Sequence, residues 1–318
     1  MLTMIIRKLL LGLFYLFVIS VVAFVMVRQM PGDPAVLIAN QDRESEAPPE
    51  LVERVRQEYG FDKGILEQYR LWLGRVLLEG DLGYSTRTKR PVLAEIKASF
   101  PPSLRLGLTT FGLTLLISFP LGLLAGVTDE KALDLLIQSL AWTSYSIPVF
   151  LLSVLLIWLF SVELGVLPVL GDETSWHYLL PVLSLSIPLS GWITPVIRSS
   201  VREISKKHYI KAAHAKGVGQ RRITLVHTLK PALLPIITAL LIQLGNLISG
   251  SFIIETVFAW NGMGRLLIDS IMARDFPTIQ GILLFVGGIF AVINVLIDSL
   301  YLLLDPSTAQ TLGRRRSL

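Results

Sequence analysis

Six stretches of this sequence contain no Asp, Glu, Lys or Arg: residues 9–27, 106–128, 135–162, 174–197, 231–254 and 276–297, each 19 to 28 residues long. A helix needs roughly 20 apolar residues to cross about 30 Å of hydrocarbon, so every run is long enough for one span. Helices buried in a soluble protein normally keep a charged face toward water, and these runs have none to keep. Only 17% of the 318 residues are charged, against about a quarter in soluble domains. The expected fold class is all-α: a polytopic membrane protein of six transmembrane helices, with an external segment between the first and the second.

The first run follows Arg7 and Lys8, an arrangement shared by signal peptides and membrane anchors. Its 19 uncharged residues exceed the usual apolar core of a signal peptide, and "RQMPGDPAV" beyond it offers no small-x-small cleavage site. It reads as a retained anchor helix within residues 1–30. Cysteine is absent, which removes disulfides and thiolate metal sites. A pI near 9.4 raises the question of nucleic acid, but the bases are gathered in particular loops and no nucleic-acid partner is expected.

Those bases set the orientation. Residues 198–230 hold nine Lys or Arg and one acid, Glu203, whereas 163–173 hold no base. Arg7 and Lys8 begin the chain, and Arg314, Arg315 and Arg316 lie near its end. Short cytoplasmic loops collect Lys and Arg, so both termini and 198–230 are expected inside. The long, charge-balanced stretch 31–104 then lies outside, since long loops translocate largely regardless of charge. Two parts of it read as amphipathic helices, one with Leu51, Val55 and Tyr59, the other with Tyr69, Leu73, Val76 and Leu77. They either cap the outer face of the bundle or dock a soluble partner. The expected division is an anchor helix 1–30, an external segment 31–104, a core transmembrane domain 105–304 with a cytoplasmic loop 198–230, and a basic tail 305–318.

Catalysis finds little support. No G-x-x-x-x-G-K-[ST] occurs, so no loop of that kind cradles a nucleotide. His177, His208, His214 and His227 have no partner at zinc-ligand spacing, and no metal site is expected. Ser184, Ser186 and Ser190 lie in the fourth run without a histidine at their depth to act as base, and small hydroxylated residues commonly serve helix packing. An ion-coupled secondary transporter is the stronger alternative. Such proteins place costly ionisable groups inside the bilayer, and the six runs contain only His177, near an outer end. The energy for any transport must then come from elsewhere.

One segment stands out: "YIKAAHAKGVGQRR", residues 209–222, carries Lys211, Lys216, Arg221 and Arg222 with no acid among them. Ala212, Ala213 and Ala215 favour a helix and allow another surface to approach closely. Gly217 and Gly219 break that helix and permit a turn. A second amphipathic stretch follows, with Ile223, Val226 and Leu229 at three-residue spacing. A short helix of this kind can pass movement from a cytosolic motor to the spans. It can equally be a basic loop held by anionic headgroups.

Here the sequence resembles the inner-membrane permease subunits of bacterial ABC importers, in the dipeptide, oligopeptide and nickel branch. Those permeases carry E-A-A-x-x-x-G, and this chain reads Lys211-Ala212-Ala213 followed by Gly217, with Lys in place of Glu. "HYIKAAHAKG" is similar to the "DY-V-R-T-A-R-A-K-G" common in the peptide branch. Further similarities occur in the same order along the chain: "MPGDPA" at 30–35, "GDLGYS" at 80–85, "ETVFAWNGMGRLLIDSI" at 255–271 with Asn261 where Pro is usual, "RDFPTIQG" at 274–281 and "LLDP" at 303–306. The resemblance implies a non-catalytic subunit of a binding-protein-dependent importer in the inner (plasma) membrane. It would form half of the path for peptides or a related solute such as a nickel chelate. Its implied partners are a second homologous permease, two cytosolic ATPase subunits that bind ATP and Mg, an external substrate-binding protein and the lipid bilayer. No cofactor would be held by this chain. Lys211, Ala212, Ala213, Lys216, Gly217, Arg221 and Arg222 would couple it to an ATPase.

Candidate path residues are the polar side chains within the runs: Ser144, Tyr145 and Ser146 before Pro148, and Gln243, Asn246 and Ser249 in the fifth. The last three are spaced by three, so neighbours in the series share roughly one helix face. Polar groups facing lipid are costly; these face either neighbouring helices, as interhelical hydrogen bonds, or water in a pore. Pro148, Pro188 and Pro195 are expected to kink their helices.

Overall fold

The computed structural model describes residues 2–29, 32–40, 46–58, 60–169, 171 and 174–304. Among them, regular structure is helical apart from one antiparallel bridge between Tyr84 and Pro91. The basic tail 305–318 and Tyr59 lie outside the described residues. The chain divides into two compact units, one of Met1–Pro101 with Arg265–Val295, the other of Pro102–Gly264 with Leu296–Leu318.

The helices follow the uncharged runs closely. α1 (Leu2–Gln29) contains the first. The short helices α2 (Pro34–Ala39), α3 (Pro49–Glu58) and α4 (Ile65–Gly74) come next, α4 passing into a π-helical turn at Arg75–Glu79. α5 (Val92–Val127) holds the second run and begins well before it, within the stretch read as external. The third run is broken into α6 (Lys131–Ser146) and α7 (Val149–Ile157), the latter extended by a π-helical turn to Glu163. Then come α8 (Leu179–Ser205), α9 (His208–Ala215), α10 (Gln220–Arg222), α11 (Lys230–Val257), α12 (Met263–Met272) and α13 (Phe276–Leu304). Four described helical segments are long and apolar enough to cross a membrane, and a fifth span is added if the broken pair counts as one. The described apolar stretch of α1, Leu10–Met26, is shorter.

The break is sharp: the two halves of the third run meet at 94°. Ile147 and Pro148 are both extended, with ψ of 122° and 133°. Proline disfavours the helical region for the residue before it and has no N–H to continue the ladder. The kink expected at Pro148 is therefore a full interruption. At Pro188 and Pro195, in contrast, α8 runs on as one helix.

In the first unit the "GDPA" of the 30–35 motif starts α2. Asp33 caps α2 by accepting from the Ala35 N–H at 2.9 Å, and Pro34 takes the first helical position, where no N–H is needed. The other carboxylate oxygen accepts from Arg56 Nη2 of α3 at 2.6 Å. Ala35, Ala39 and Val55 are buried together. Tyr69 and Trp72 of α4 pack on Phe24 of α1, and the Tyr69 hydroxyl pairs with Ser20 at 2.7 Å. Leu77 does not join this face as its spacing predicted; it is 72% exposed. The π-helical turn carries five residues per hydrogen-bonded step instead of four, so the register slips before Leu77.

The second unit is organised around α8. Toward the chain-start end of α8, Leu180, Val182 and Leu185 pack with Leu106, Ile254, Phe258 and Trp260. Trp260 is fully buried, stands edge-on to Tyr178 with ring centres 4.4 Å apart, and donates its indole N–H to the Pro102 carbonyl. Toward the other end, Ile193, Ile197 and Val201 pack with Ala232 and Ile236 of α11.

Candidate functional site

Two features of the second unit bear on function, an exposed segment after α8 and a pocket at the break. The segment begins two residues beyond α8. α9 spans His208–Ala215, and Gly217 turns the chain with φ of +74°, a conformation that side chains with a Cβ rarely adopt. Ile210 is α9's buried residue, and the Tyr209 hydroxyl donates to the His227 carbonyl at 3.1 Å, so α9 is tied down on one side. Lys211, Ala212, Lys216, Gly217, Arg221 and Arg222 are exposed and Ala213 is half-buried. None of these four cations forms an ion pair among the described residues; the nearby acid, Glu203, pairs with Lys207 at 3.2 Å.

Beyond α10 the chain winds as a π-helix over Ile223–Leu229 before α11. This alters the face inferred from three-residue spacing. Ile223 and Thr228, five apart, are the buried pair, while Val226 is 48% exposed. A π-helix repeats its bonds every five residues, so positions 223 and 228 come onto one side.

The pocket, of about 390 Å³, is walled by Tyr145, Ser146, Ile147, Pro148 and Val149 at the break, by Leu185, Pro188, Leu189 and Trp192 of α8, and by Gln243 and Leu247 of α11. Volumes of this order are typical of small-molecule sites, which are largely apolar with a few placed polar groups. Among the described residues, no acid or base lines it. Of the residues proposed for the path, Tyr145, Ser146 and Gln243 are therefore brought together. Ser144 is not: its hydroxyl donates back to the carbonyls of Leu140 and Ala141, both at 2.9 Å, and it sits against Gly191. A Cβ on Gly191 would collide with the Ala141 carbonyl, the Ser144 hydroxyl and the Tyr145 nitrogen, so this glycine is what lets α6 and α8 touch backbone to backbone. Asn246 and Ser249 lie on α11, but their side chains fall outside those described.

The α8 wall was missed from sequence. Trp192 and Leu189 read as ordinary apolar residues of a span; in that stretch the sequence drew notice only to Pro188, as a kink, and to Ser186 and Ser190, as packing residues. Also missed were three acid clusters, those of Glu255 and Asp275 buried and that of Asp134 half-buried. Asp134 of α6 is gripped by Arg198 and Arg202 of α8. Glu255, fully buried, accepts from the Ser103 hydroxyl at 2.6 Å and the Gly264 N–H at 2.7 Å, while Ser103 accepts from the Met263 N–H. Asp275 accepts from the hydroxyls of Ser85 at 2.5 Å and Thr278 at 2.7 Å and from the Thr86 N–H at 3.0 Å. The last cluster explains why "GDLGYS" and "RDFPTIQG" occur in one chain: each supplies half of a single hydrogen-bonded knot. Among the described residues, no group of three His, Cys, Asp or Glu is placed to hold a metal ion.

An all-helical membrane chain with a broken span beside an uncharged pocket, and a small-residue cationic helix at the far end of α8, is the architecture of a transport permease. Residues 118–310 match the family described as binding-protein-dependent transport system inner membrane component, and residues 1–107 match the N-terminal family of the same membrane component. The chain belongs to this family; it is a multi-pass inner-membrane permease subunit of an ABC importer. It is 37% identical over 307 residues to the glutathione transport system permease protein GsiC of Escherichia coli K12, covering 96% of this chain and 99% of that one. The corresponding protein of Shigella flexneri serotype 5b is 36% identical over the same length. Among solved structures, the MetNI methionine ABC transporter in an inward-facing conformation superposes with a TM-score of 0.57 at 20% identity, over 67% of this chain and 97% of that one. An amino acid ABC transporter with histidines gives 0.51 at 18% identity, over 66% and 92%. At these identities the likeness to the solved structures is one of fold.

Proposed function

We propose that this chain forms one half of the import path for a small peptide or peptide-like solute, of the class to which glutathione belongs, and that residues 209–222 receive the movement of a cytosolic ATPase. The observation that carries the coupling part is α9 itself. A helix of small and cationic residues is held to its own chain through Ile210 and Tyr209, while Ala212 and the four cations on and after it are exposed and form no ion pair among the described residues. Near-full-length identity to a glutathione permease supports the substrate class. The pocket is chemically suited to it: the Tyr145 hydroxyl can exchange hydrogen bonds with peptide groups, the Ser146 oxygen can accept one while its own proton goes to the Trp142 carbonyl, Gln243 adds an amide to the lining, and the apolar walls accept side chains. Among the described residues its lining carries no charge, so it offers such a solute hydrogen bonds and apolar contact without a fixed counter-charge.

In this reading the chain hydrolyses no ATP. Two cytosolic ATPases bind ATP and Mg, a second and similar permease completes the path, and an external protein delivers the solute. Both termini and 198–230 lie in the cytoplasm, with 31–104 outside. The whole is tested by purifying the chain with its partner subunits into liposomes. ATP-dependent uptake of radiolabelled glutathione is expected, competed by di- and tripeptides. ATP-dependent uptake of another solute class, with no competition by peptides, would overturn the substrate assignment and leave the rest standing.

Orientation is tested separately, and the absence of native cysteine makes the test clean. Thr174 and Gln220 are both exposed. A cysteine at Thr174 is expected to react with an impermeant maleimide in spheroplasts, and one at Gln220 only after the membrane is opened. Labelling of the Gln220→Cys protein from outside would reverse the topology and remove 209–222 from the ATPase side.

A further inference from the structure

The ends of α6 and α8 nearest α9 are joined by one carboxylate that neither the path nor the coupling segment uses. Asp134 Oδ1 accepts from Arg198 Nε and Oδ2 from Arg198 Nη2, both at 2.5 Å, and Oδ2 also accepts from Arg202 Nη1 at 2.6 Å. Arg198 and Arg202 are four apart on α8 and so lie on one face, which lets both reach the same acid. The Asp134 side chain is 13% exposed. A bidentate guanidinium–carboxylate pair fixes direction as well as distance, and one shielded from water is screened less than a surface pair.

Its position in the chain gives this clamp its significance. Arg202 stands three residues before the end of α8, and α9 begins at His208. Further along the same α6–α8 contact, Gly191 meets Ala141, Ser144 and Tyr145 with no room for a side chain. Immediately after these come the break and residues 145–149, one wall of the pocket. α6 is thus fastened to α8 twice, once beside the coupling segment and once beside the pocket.

We propose that Asp134 is a positioning residue of the transport cycle: by holding α6 to α8 through Arg198 and Arg202, it carries displacement of residues 209–222 to the pocket wall at 145–149. The proposal rests on the reading of 209–222 as the coupling segment. With the clamp released, the end of α8 can shift without taking α6 along, and ATP is consumed without moving the wall.

The test uses the assembled importer in liposomes, with ATP hydrolysis and solute import measured in the same vesicles. For Asp134→Asn, ATP hydrolysis stimulated by the loaded binding protein is expected to stay within about 2-fold of wild type, while solute imported per ATP falls about 5-fold or more, the lower end of typical coupling between sites. Asp134→Glu, which keeps the charge, is expected to restore more than half of the ratio. Arg202→Gln, which leaves the bidentate Arg198 pair in place, is expected to give an intermediate ratio. If import and hydrolysis fall in parallel, or if neither Asp134→Asn nor Arg202→Gln assembles, the clamp is only structural and the proposal is overturned. An unchanged ratio in Asp134→Asn overturns it as well. Ala213→Glu separates this from the underlying reading: normal import in that variant refutes the coupling segment, whereas blocked import there with normal coupling in Asp134→Asn refutes the clamp alone.

Discussion

Ala213→Glu is expected to lower ATP-dependent uptake about 100-fold while leaving the amount of protein in the membrane unchanged. The size follows from packing: forcing extra atoms into a close-fitting contact costs about 1–3 kcal/mol, and each 1.4 kcal/mol is about tenfold in an equilibrium. The new carboxylate adds to this if the receiving groove is shaped for the cations at 211 and 216. Within its own chain, Ala213 is only half-buried. Ala212→Glu is the companion variant, because Ala212 is exposed and no clash inside this chain can account for its failure. Gly217 is a poorer probe, since any side chain there also strains a backbone at φ of +74°. Uptake at the wild-type rate in both alanine variants, measured in liposomes with equal protein, ATP enclosed and the loaded binding protein outside, would place 209–222 against lipid headgroups instead of a protein groove.

The architecture was largely legible because charge is costly in hydrocarbon. Marking Asp, Glu, Lys and Arg alone located α1, α5, α8, α11 and α13 and the joint extent of α6 and α7. Local chemistry was legible too: the α9 helix and the turn at Gly217 follow from alanines succeeded by glycines. Proline marked the site of the break at 148, but its 94° angle depends on two consecutive extended residues, which no single residue type dictates.

What stayed hidden depends on which face of a helix meets which neighbour. Ser144 and Ser146 are two residues apart and so point about 200° apart on an α-helix; one rests on Gly191 and the other lines the pocket. Nothing near them in sequence distinguishes the two. The slips at Leu77 and Val226 have a related origin, since a π-helical turn moves every later residue off the register that a count of three or four assumes. The acid clusters join positions far apart in the chain, Asp134 to Arg198 and Ser85 to Asp275. In the sequence these charges served as boundary marks and orientation signals, and their pairing is a product of the fold.

Reconstituted by itself in liposomes, this chain is expected to accumulate no solute above its equilibrium level, with a pH gradient, a sodium gradient or ATP supplied. A coupling ion needs ionisable groups that can exchange it across the membrane. The buried acids among the described residues are engaged otherwise: Glu95 accepts from the Thr88 hydroxyl and faces Arg90, Glu255 accepts from a hydroxyl and a backbone N–H, and Asp275 from two hydroxyls and a backbone N–H. Among the described residues no acid or base lines the pocket at the break, so none of them there is placed to carry a proton with the solute. ATP is not expected to drive the lone chain either: the relatives it matches are permease subunits, and the sequence offers no G-x-x-x-x-G-K-[ST] loop to cradle a nucleotide. Adding the second permease, the ATPases and the loaded binding protein is expected to raise accumulation from background to at least tenfold above it, a change of about 1.4 kcal/mol or more in the solute gradient. That gain should vanish when ATP is replaced by a non-hydrolysable analogue. Gradient-driven accumulation by the lone chain, abolished by a protonophore, would instead make it an ion-coupled transporter and leave 209–222 without a motor to receive.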